Sequence, residues 1–178
     1  MASGSSSTPF SGTSLTADRL DRLADRVRST ATETIAVEAP ATTDRIGSVP
    51  ACEESDVDAA VAAAREAQAA WAATPVKQRA VVIDRFSDLV VDHRAELLDL
   101  LQLETGKSRQ TAAEGLFSVP SACDQAVSQG PEAVADEPRG GGIPLLTTAT
   151  VTYEPVGVVG VISPWNYPVT LSMADVLP

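Results

Sequence analysis

The stretch EPVGVVGVISPWNYP, from Glu154 to Pro168, decides the fold of this chain. Its first half, from Val156 to Ile162, is a continuous apolar run of the kind that is buried on both faces of a parallel sheet. A short turn follows, in which prolines flank a tryptophan, an asparagine and a tyrosine. Because doubly wound folds bind ligands at the carboxyl ends of their strands, we expect this turn to lie at a binding cleft.

Asn166 is the residue of this turn that is best suited to chemistry. A rigidly held asparagine can donate its side-chain NH2 to an oxygen that becomes negative during a reaction. The residues alone equally favour a structural role, in which Asn166 caps the following helix. The glycine patterns are weaker, since "RGGGIP" lacks the Lys-Ser/Thr of a phosphate loop and Gly157 with Gly160 does not form a dinucleotide fingerprint.

The sequence before this stretch predicts mainly helices. Residues 1–14 are rich in Ser, Thr and Gly and are expected to form a flexible tail. Ile35 and Val37, then Ile46 and Val49, flank a turn and predict a β-hairpin. The spacing of apolar residues predicts helices at about 16–28, 56–73, 76–93, around Leu97–Leu101, and at 108–129. Ser55 and Asp58 are expected to form a capping box at the start of the second of these helices, and Gly106 is expected to end the fourth. Pro120 is expected to kink or break the fifth.

The predicted fold class is α/β, divided into consecutive parts. Residues 15–137 form an N-terminal helical layer with a β-hairpin. Residues 138–155 form a linker and a β arm, because triple glycine precedes an alternating β-branched segment, Thr147 to Tyr153. Residues 156–178 supply the first strand of an incomplete doubly wound parallel sheet and the Pro-Trp-Asn-Tyr-Pro turn.

Composition excludes several kinds of partner. A net charge of -11 without a clustered basic surface argues against nucleic acid. No apolar run reaches the length of a membrane span and no secretory signal is visible, so we expect no membrane partner and a cytoplasmic location. The acidity fits either a high-salt host or a GC-rich genome.

Four other features are given structural interpretations. Cys52 and Cys123 lack the spacing of metal ligands and are expected to be buried, inert thiols, so no metal is predicted. His93 is expected at the surface. The segment Glu104 to Lys107 is explained as a helix end with a glycine stop.

The quoted stretch resembles the segment of the NAD(P)-dependent aldehyde dehydrogenase superfamily in which a strand leads into a Pro-Trp-Asn-Phe/Tyr-Pro turn. The segments APATTDRIGSVP, DVDAAVAAAREAQAAWAATPVKQRAVVIDRF and LLQLETGKSR resemble the N-terminal region of that family in the same order. By general similarity, the succinic-semialdehyde type is the nearest subfamily. The resemblance covers nearly the whole chain after the tail.

This resemblance implies an enzyme that oxidises a small aldehyde with NAD or NADP. A thiolate attacks the carbonyl, a hydride passes to the nicotinamide, and water activated by a glutamate releases the acid. Asn166 would donate to the oxyanion and, with Ile162, Ser163, Pro164 and Trp165, would line the cofactor cleft. Thr147 to Pro155 would belong to the arm through which such enzymes form homo-oligomers.

The chain departs from the family pattern by lacking the groups expected later in it. The ribose-binding lysine, the glycine pair, the general-base glutamate and the nucleophilic cysteine are not found, and neither Cys52 nor Cys123 matches the nucleophile. We therefore expect a fragment that is inactive alone. The alternative is a non-catalytic interaction module that pairs with an intact homologue.

Overall fold

A computed structural model of the chain describes residue 13 and residues 15–143 and 146–177, apart from the side chains of residues 174 and 175. The expected tail, residues 1–14, thus lies almost wholly outside the described residues. The elements in chain order are α1 (Ala17–Ala24), β1 (Thr34–Glu38), β2 (Arg45–Pro50), α2 (Glu54–Ala73), α3 (Val76–Asp92), α4 (Arg94–Thr105), α5 (Arg109–Ala133), β3 (Glu137–Gly140), β4 (Thr148–Val151) and α6 (Pro168–Val176).

The core lies where α5 packs against α3, α4 and α6. Its most deeply buried side chains are all on α5: Leu116, Val119 and Cys123. α6 joins the same core, because Val169 and Met173 pack against this cluster. Apolar burial of this kind is the main source of helix stability in proteins, and here it also fixes the position of the segment that precedes α6.

The predicted hairpin is confirmed. β1 and β2 pair antiparallel with Ile35 opposite Val49, and an irregularity falls between Val37 and Glu38. The hairpin is attached to the helices by a second, smaller apolar cluster that includes Leu20 of α1 and Ile46 of β2. α1 itself is shorter than the predicted range of 16–28.

The start of α2 corrects the predicted capping box. The sequence favoured Ser55 with Asp58, whereas the structure has a reciprocal box of Glu53 and Asp56, and α2 begins at Glu54. The Asp56 carboxylate accepts hydrogen bonds from the backbone N–H of Glu53 at 2.9 Å and of Thr30 at 2.8 Å. Because one carboxylate holds both the helix start and the preceding linker, the helix begins two residues earlier than expected.

The sequence predicted a kink or a break at Pro120; α5 is one continuous helix through this residue, so the break is wrong. Proline removes one N–H donor and disfavours a helix interior. The residues on either side of Pro120 include Val119 and Cys123, which are almost completely buried. Packing of this face against the neighbouring helices therefore outweighs the local cost of proline.

The predicted strand at Thr147 to Tyr153 is observed in part. β4 is antiparallel to β3, which occupies residues 137–140, at the start of the segment that the sequence assigned to a linker. The Tyr153 hydroxyl donates to a Glu137 carboxylate oxygen at 2.8 Å. This side-chain contact, two residues beyond the end of β4, is a further link between the two parts of the small two-stranded arm.

The expected first strand of a parallel sheet, from Val156 to Ile162, is not formed by the described residues. Residues 152–164 form no strand, and the side chains of Val156 and Ile162 are 93% and 101% exposed. The described residues contain two sheets, each with two antiparallel strands, and no parallel partner for this run. A buried parallel strand needs neighbours on both edges and both faces, so without them the apolar run stays irregular.

No helix in the described ranges has both the length and the apolar character that crossing a bilayer requires.

Candidate active site

The Pro-Trp-Asn-Tyr-Pro segment forms a turn that leads directly into α6. Trp165 and Asn166 occupy the turn, and Pro168 is the first residue of the helix. Proline is favoured at the first helical position because its missing N–H would have no helical partner there. Trp165 is 77% exposed, and Asn166 is exposed as well. The turn is thus held at its C-terminal end by α6, while its two central residues are exposed to solvent.

Close contact between α5 and α6 fixes the tyrosine of this turn. A Cβ atom added at Gly115 would lie only 3.2 Å from Cδ1 of Tyr167 and 3.3 Å from Oγ1 of Thr170. The Thr170 hydroxyl donates to the carbonyl oxygen of Gly115 at 2.6 Å, and the Ser118 hydroxyl lies 3.3 Å from the same Thr170 oxygen. The absence of a side chain at residue 115 therefore lets the turn approach α5 closely, near the start of that helix.

Lys107 contacts the turn from the other side. Its ammonium nitrogen lies 3.3 Å from the centroid of the Tyr167 ring and donates a hydrogen bond to the backbone carbonyl of Asn166. Gly106 makes this possible, since it ends α4 in the left-handed conformation with φ 71° and turns the chain. The glycine stop was predicted correctly. The contact of Lys107 with the turn could not be predicted, because Lys107 and Asn166 are 59 positions apart in sequence and no local pattern marks the contact.

The structure decides against the helix-capping role of Asn166. Tyr167 is the N-cap residue of α6, and no side-chain capping bond is present. Within the described residues, the Asn166 side chain makes no hydrogen bond, while the backbone carbonyl of Asn166 is held by Lys107. The structure thus leaves the Asn166 amide exposed, on a turn whose backbone is held by Lys107.

The other residues predicted to line a cofactor cleft precede the turn. Ile162 and Pro164 are exposed, and Ser163 is half-buried, all within the irregular segment 152–164. Ile162 and Trp165 each present open apolar surface, at 101% and 77% exposure. Their position relative to a cofactor stays a prediction.

The two cysteines differ in environment. Cys123 is completely buried in α5, and burial raises the pKa of its thiol, which disfavours the thiolate that nucleophilic attack requires. Cys52 is exposed, so the expectation that both thiols are buried is wrong for this residue. It lies in the short connection between β2 and α2, which the two-stranded hairpin leaves uncovered.

His93 lies between α3 and α4. Its side chain is 57% exposed, and its Nδ1 lies 3.6 Å from a Glu96 carboxylate oxygen. Its surface position was predicted, whereas the neighbouring carboxylate was not. Among the described residues, no three His, Cys, Asp or Glu side chains are grouped so that they could hold a metal ion.

Comparison with known families identifies the chain. The model of the aldehyde dehydrogenase family matches residues 27–178. The chain belongs to the aldehyde dehydrogenase family. The resemblance seen in the Trp-Asn turn is thereby confirmed, and the match extends over the hairpin, helices α2 to α6 and the turn.

Individual aldehyde dehydrogenases support the same assignment. A Mycobacterium ulcerans (strain Agy99) protein named "Putative succinate-semialdehyde dehydrogenase (NADP(+)) 2" is 44% identical over 130 residues, which are 73% of this chain and 25% of that protein. An NAD-dependent benzaldehyde dehydrogenase from Corynebacterium glutamicum has a TM-score of 0.77 with 32% identity, over 85% of this chain and 33% of that one. A succinate-semialdehyde dehydrogenase from Burkholderia pseudomallei has a TM-score of 0.71 with 30% identity, over 78% of this chain and 28% of that one.

The chain therefore spans about a quarter to a third of the aldehyde dehydrogenases that it matches. Over the covered residues, its fold is that of part of those structures. The extended parallel sheet expected for the complete fold is not formed by the described residues.

Proposed function

We propose that this chain is the N-terminal part of an NAD(P)-dependent dehydrogenase that oxidises an aldehyde to a carboxylic acid, with Asn166 as the oxyanion donor. The observation that carries the proposal is the state of Asn166: its backbone carbonyl is held by Lys107, while its side-chain amide is exposed and has no partner within the described residues. Family membership supplies the reaction class.

Asn166 would act on the oxygen of the aldehyde. When a thiolate adds to the carbonyl carbon, the carbonyl oxygen takes up the negative charge, and an amide N–H placed in advance stabilises that charge without reorganising. Removing one such donor typically lowers kcat by about 10²–10³-fold. The chain's own thiols are unsuited to the attack, since Cys123 is buried in the core and Cys52, in the connection between β2 and α2, does not match the position of the family's nucleophile. The nucleophile would come from the remaining part of the enzyme.

Ile162, Ser163, Pro164 and Trp165 would face the nicotinamide nucleotide. The fit is chemical: Ile162 and Trp165 are 101% and 77% exposed and offer apolar surface that a flat ring could cover. When bound, NAD+ or NADP+ would supply the hydride acceptor. The role of the chain is to provide that surface beside the Asn166 amide and to exclude water from it.

Succinic semialdehyde is the proposed aldehyde. The proposal rests on the names of the relatives, among them the Mycobacterium ulcerans protein. NADP is the cofactor in that name, whereas NAD is named for the Corynebacterium glutamicum structure, and both remain within the proposal.

The test uses a hybrid protein, in which this chain replaces the corresponding part of the Mycobacterium ulcerans relative. The hybrid, supplied with succinic semialdehyde and NADP, is expected to form reduced nicotinamide, whereas the 178-residue chain alone is expected to form none. A folded hybrid that binds NADP but oxidises no aldehyde would contradict the proposal, as would turnover by the chain alone.

A second candidate, an interaction module that pairs with an intact homologue, is favoured by one observation. The apolar segment from Val156 to Ile162 is largely exposed and pairs with no strand among the described residues, so its backbone is available for pairing with the edge of a sheet in another protein. This candidate predicts that the chain alone forms a stoichiometric complex with the intact relative, measured by light scattering. Elution of the two as separate species would exclude it.

A further inference from the structure

Lys107 holds two parts of the turn with one group. The ammonium nitrogen lies 3.3 Å from the Tyr167 ring centroid, within the range of a cation–π contact, and it also donates to the Asn166 carbonyl. The carbonyl belongs to the peptide that joins Asn166 to Tyr167. Because a peptide unit is planar, fixing its oxygen and the next ring limits the directions in which the Asn166 side chain can leave the backbone.

The position of Lys107 depends on the end of α4. Gly106 has φ 71°, and a Cβ there would lie 3.2 Å from Cγ of Pro40, so this turn is shaped for glycine. The next residue is thereby directed toward α6. In the described part of the chain Lys107 takes part in no ion pair, so its contacts with the turn are the interactions that the ammonium group makes there.

We infer that Lys107 is a positioning residue, which holds the backbone of the Trp-Asn-Tyr turn and thereby the direction in which the Asn166 side chain leaves it. The inference rests on the oxyanion role proposed for Asn166. Lys107 acts through the backbone and the Tyr167 ring, and it does not touch the reacting atoms. A lysine that merely closes the C-terminus of α4 would interact with the helix dipole and would leave Asn166 unaffected.

The chain permits an unusually selective test, since Asn166 is its only asparagine and Lys77 is its only other lysine. Labelling with ¹⁵N-asparagine therefore gives one backbone amide signal and one side-chain NH2 pair. Lys107→Met keeps much of the aliphatic length but removes the charge and the donors. Lys107→Arg keeps both and can stack on the ring. Lys77→Met, on the exposed surface of α3, is the matched control.

In the full chain, the backbone order parameter of Asn166 is expected near about 0.85 and to fall below about 0.6 in Lys107→Met. Lys107→Arg and Lys77→Met should retain the original value, and circular dichroism should show equal helix content in all four proteins. An ordered Asn166 in Lys107→Met would overturn the inference. So would equal loss of order in Lys77→Met, since the effect would then be unrelated to the contact.

The inference and the proposed function can fail separately. The order parameter is measured without turnover. An inactive hybrid would therefore overturn the proposal that the enzyme oxidises the aldehyde, while the NMR spectra would still decide whether Lys107 orders the turn. In an active hybrid, Lys107→Met is expected to lower kcat more than it changes KM, and Lys107→Arg is expected to restore most of the loss. Unchanged kcat in Lys107→Met would overturn the positioning role while aldehyde oxidation stands.

Discussion

Adding one methyl group at residue 115 tests whether α5 and the turn are as closely packed as described. Gly115→Ala brings a methyl to 3.2 Å from the Tyr167 ring and 3.3 Å from the Thr170 hydroxyl. Overpacking typically costs about 1–3 kcal/mol, and since the ring is 37% exposed and can shift, we expect about 1–2 kcal/mol. The change also gains up to about 1 kcal/mol of helix propensity. The net free energy of unfolding should fall by about 0–2 kcal/mol.

Gly130→Ala is the matched control, because it adds the same methyl to the same helix with no atom within 4 Å. Its gain is limited by Pro131, which disfavours a Cβ on the preceding helical residue. The difference between the two variants is therefore a lower bound on the overpacking cost. Urea unfolding followed by circular dichroism should give Gly115→Ala a lower free energy of unfolding than Gly130→Ala, by up to about 2 kcal/mol. A Gly115→Ala variant that is more stable than Gly130→Ala would refute the close contact.

Two further predictions concern the core and the start of α2. Leu116→Ala should lower the free energy of unfolding by about 2–5 kcal/mol, because Leu116 is only 1% exposed. Val156→Ala, at a position that is 93% exposed, should change the free energy of unfolding little. Similar urea midpoints for the two variants would argue against this core. The pKa of Asp56 is lowered from 3.8 to about 2, first by the backbone N–H of Glu53 and then by that of Thr30. The stabilising effect of the Asp56 carboxylate is therefore present above about pH 4 and is lost as the pH falls toward 2. Asp56→Asn should have a lower free energy of unfolding than the original chain at pH 7, and the two values should converge near pH 2. A difference between the two proteins that is independent of pH would contradict the hydrogen-bonded carboxylate.

The helices and the hairpin could be predicted from sequence because their signals are local. Apolar spacing marked α2 and α3, and Gly106 marked the end of α4. The exact start of α2 could not be predicted, since Glu53 is not among the preferred N-cap residue types. Its reciprocal bonds with Asp56 became visible only in three dimensions.

The remaining errors concern contacts that are distant in sequence. The run from Val156 to Ile162 has the composition of a buried strand, but a strand is defined by its partners, and the described residues supply none. The Trp-Asn turn was found from sequence, whereas its support was not. Lys107 reaches it over 59 residues, and the importance of Gly115 follows only from the approach of α6.

The most direct test of the account is the kinetic effect of Asn166→Ala in the hybrid with the Mycobacterium ulcerans relative. Glu66→Ala, an exposed change on α2, serves as the control. If the Asn166 amide stabilises the oxyanion, kcat for succinic semialdehyde should fall by about 10²–10³-fold, with a smaller change in KM and no change in Glu66→Ala. A correctly folded Asn166→Ala hybrid with unchanged kcat would contradict the account.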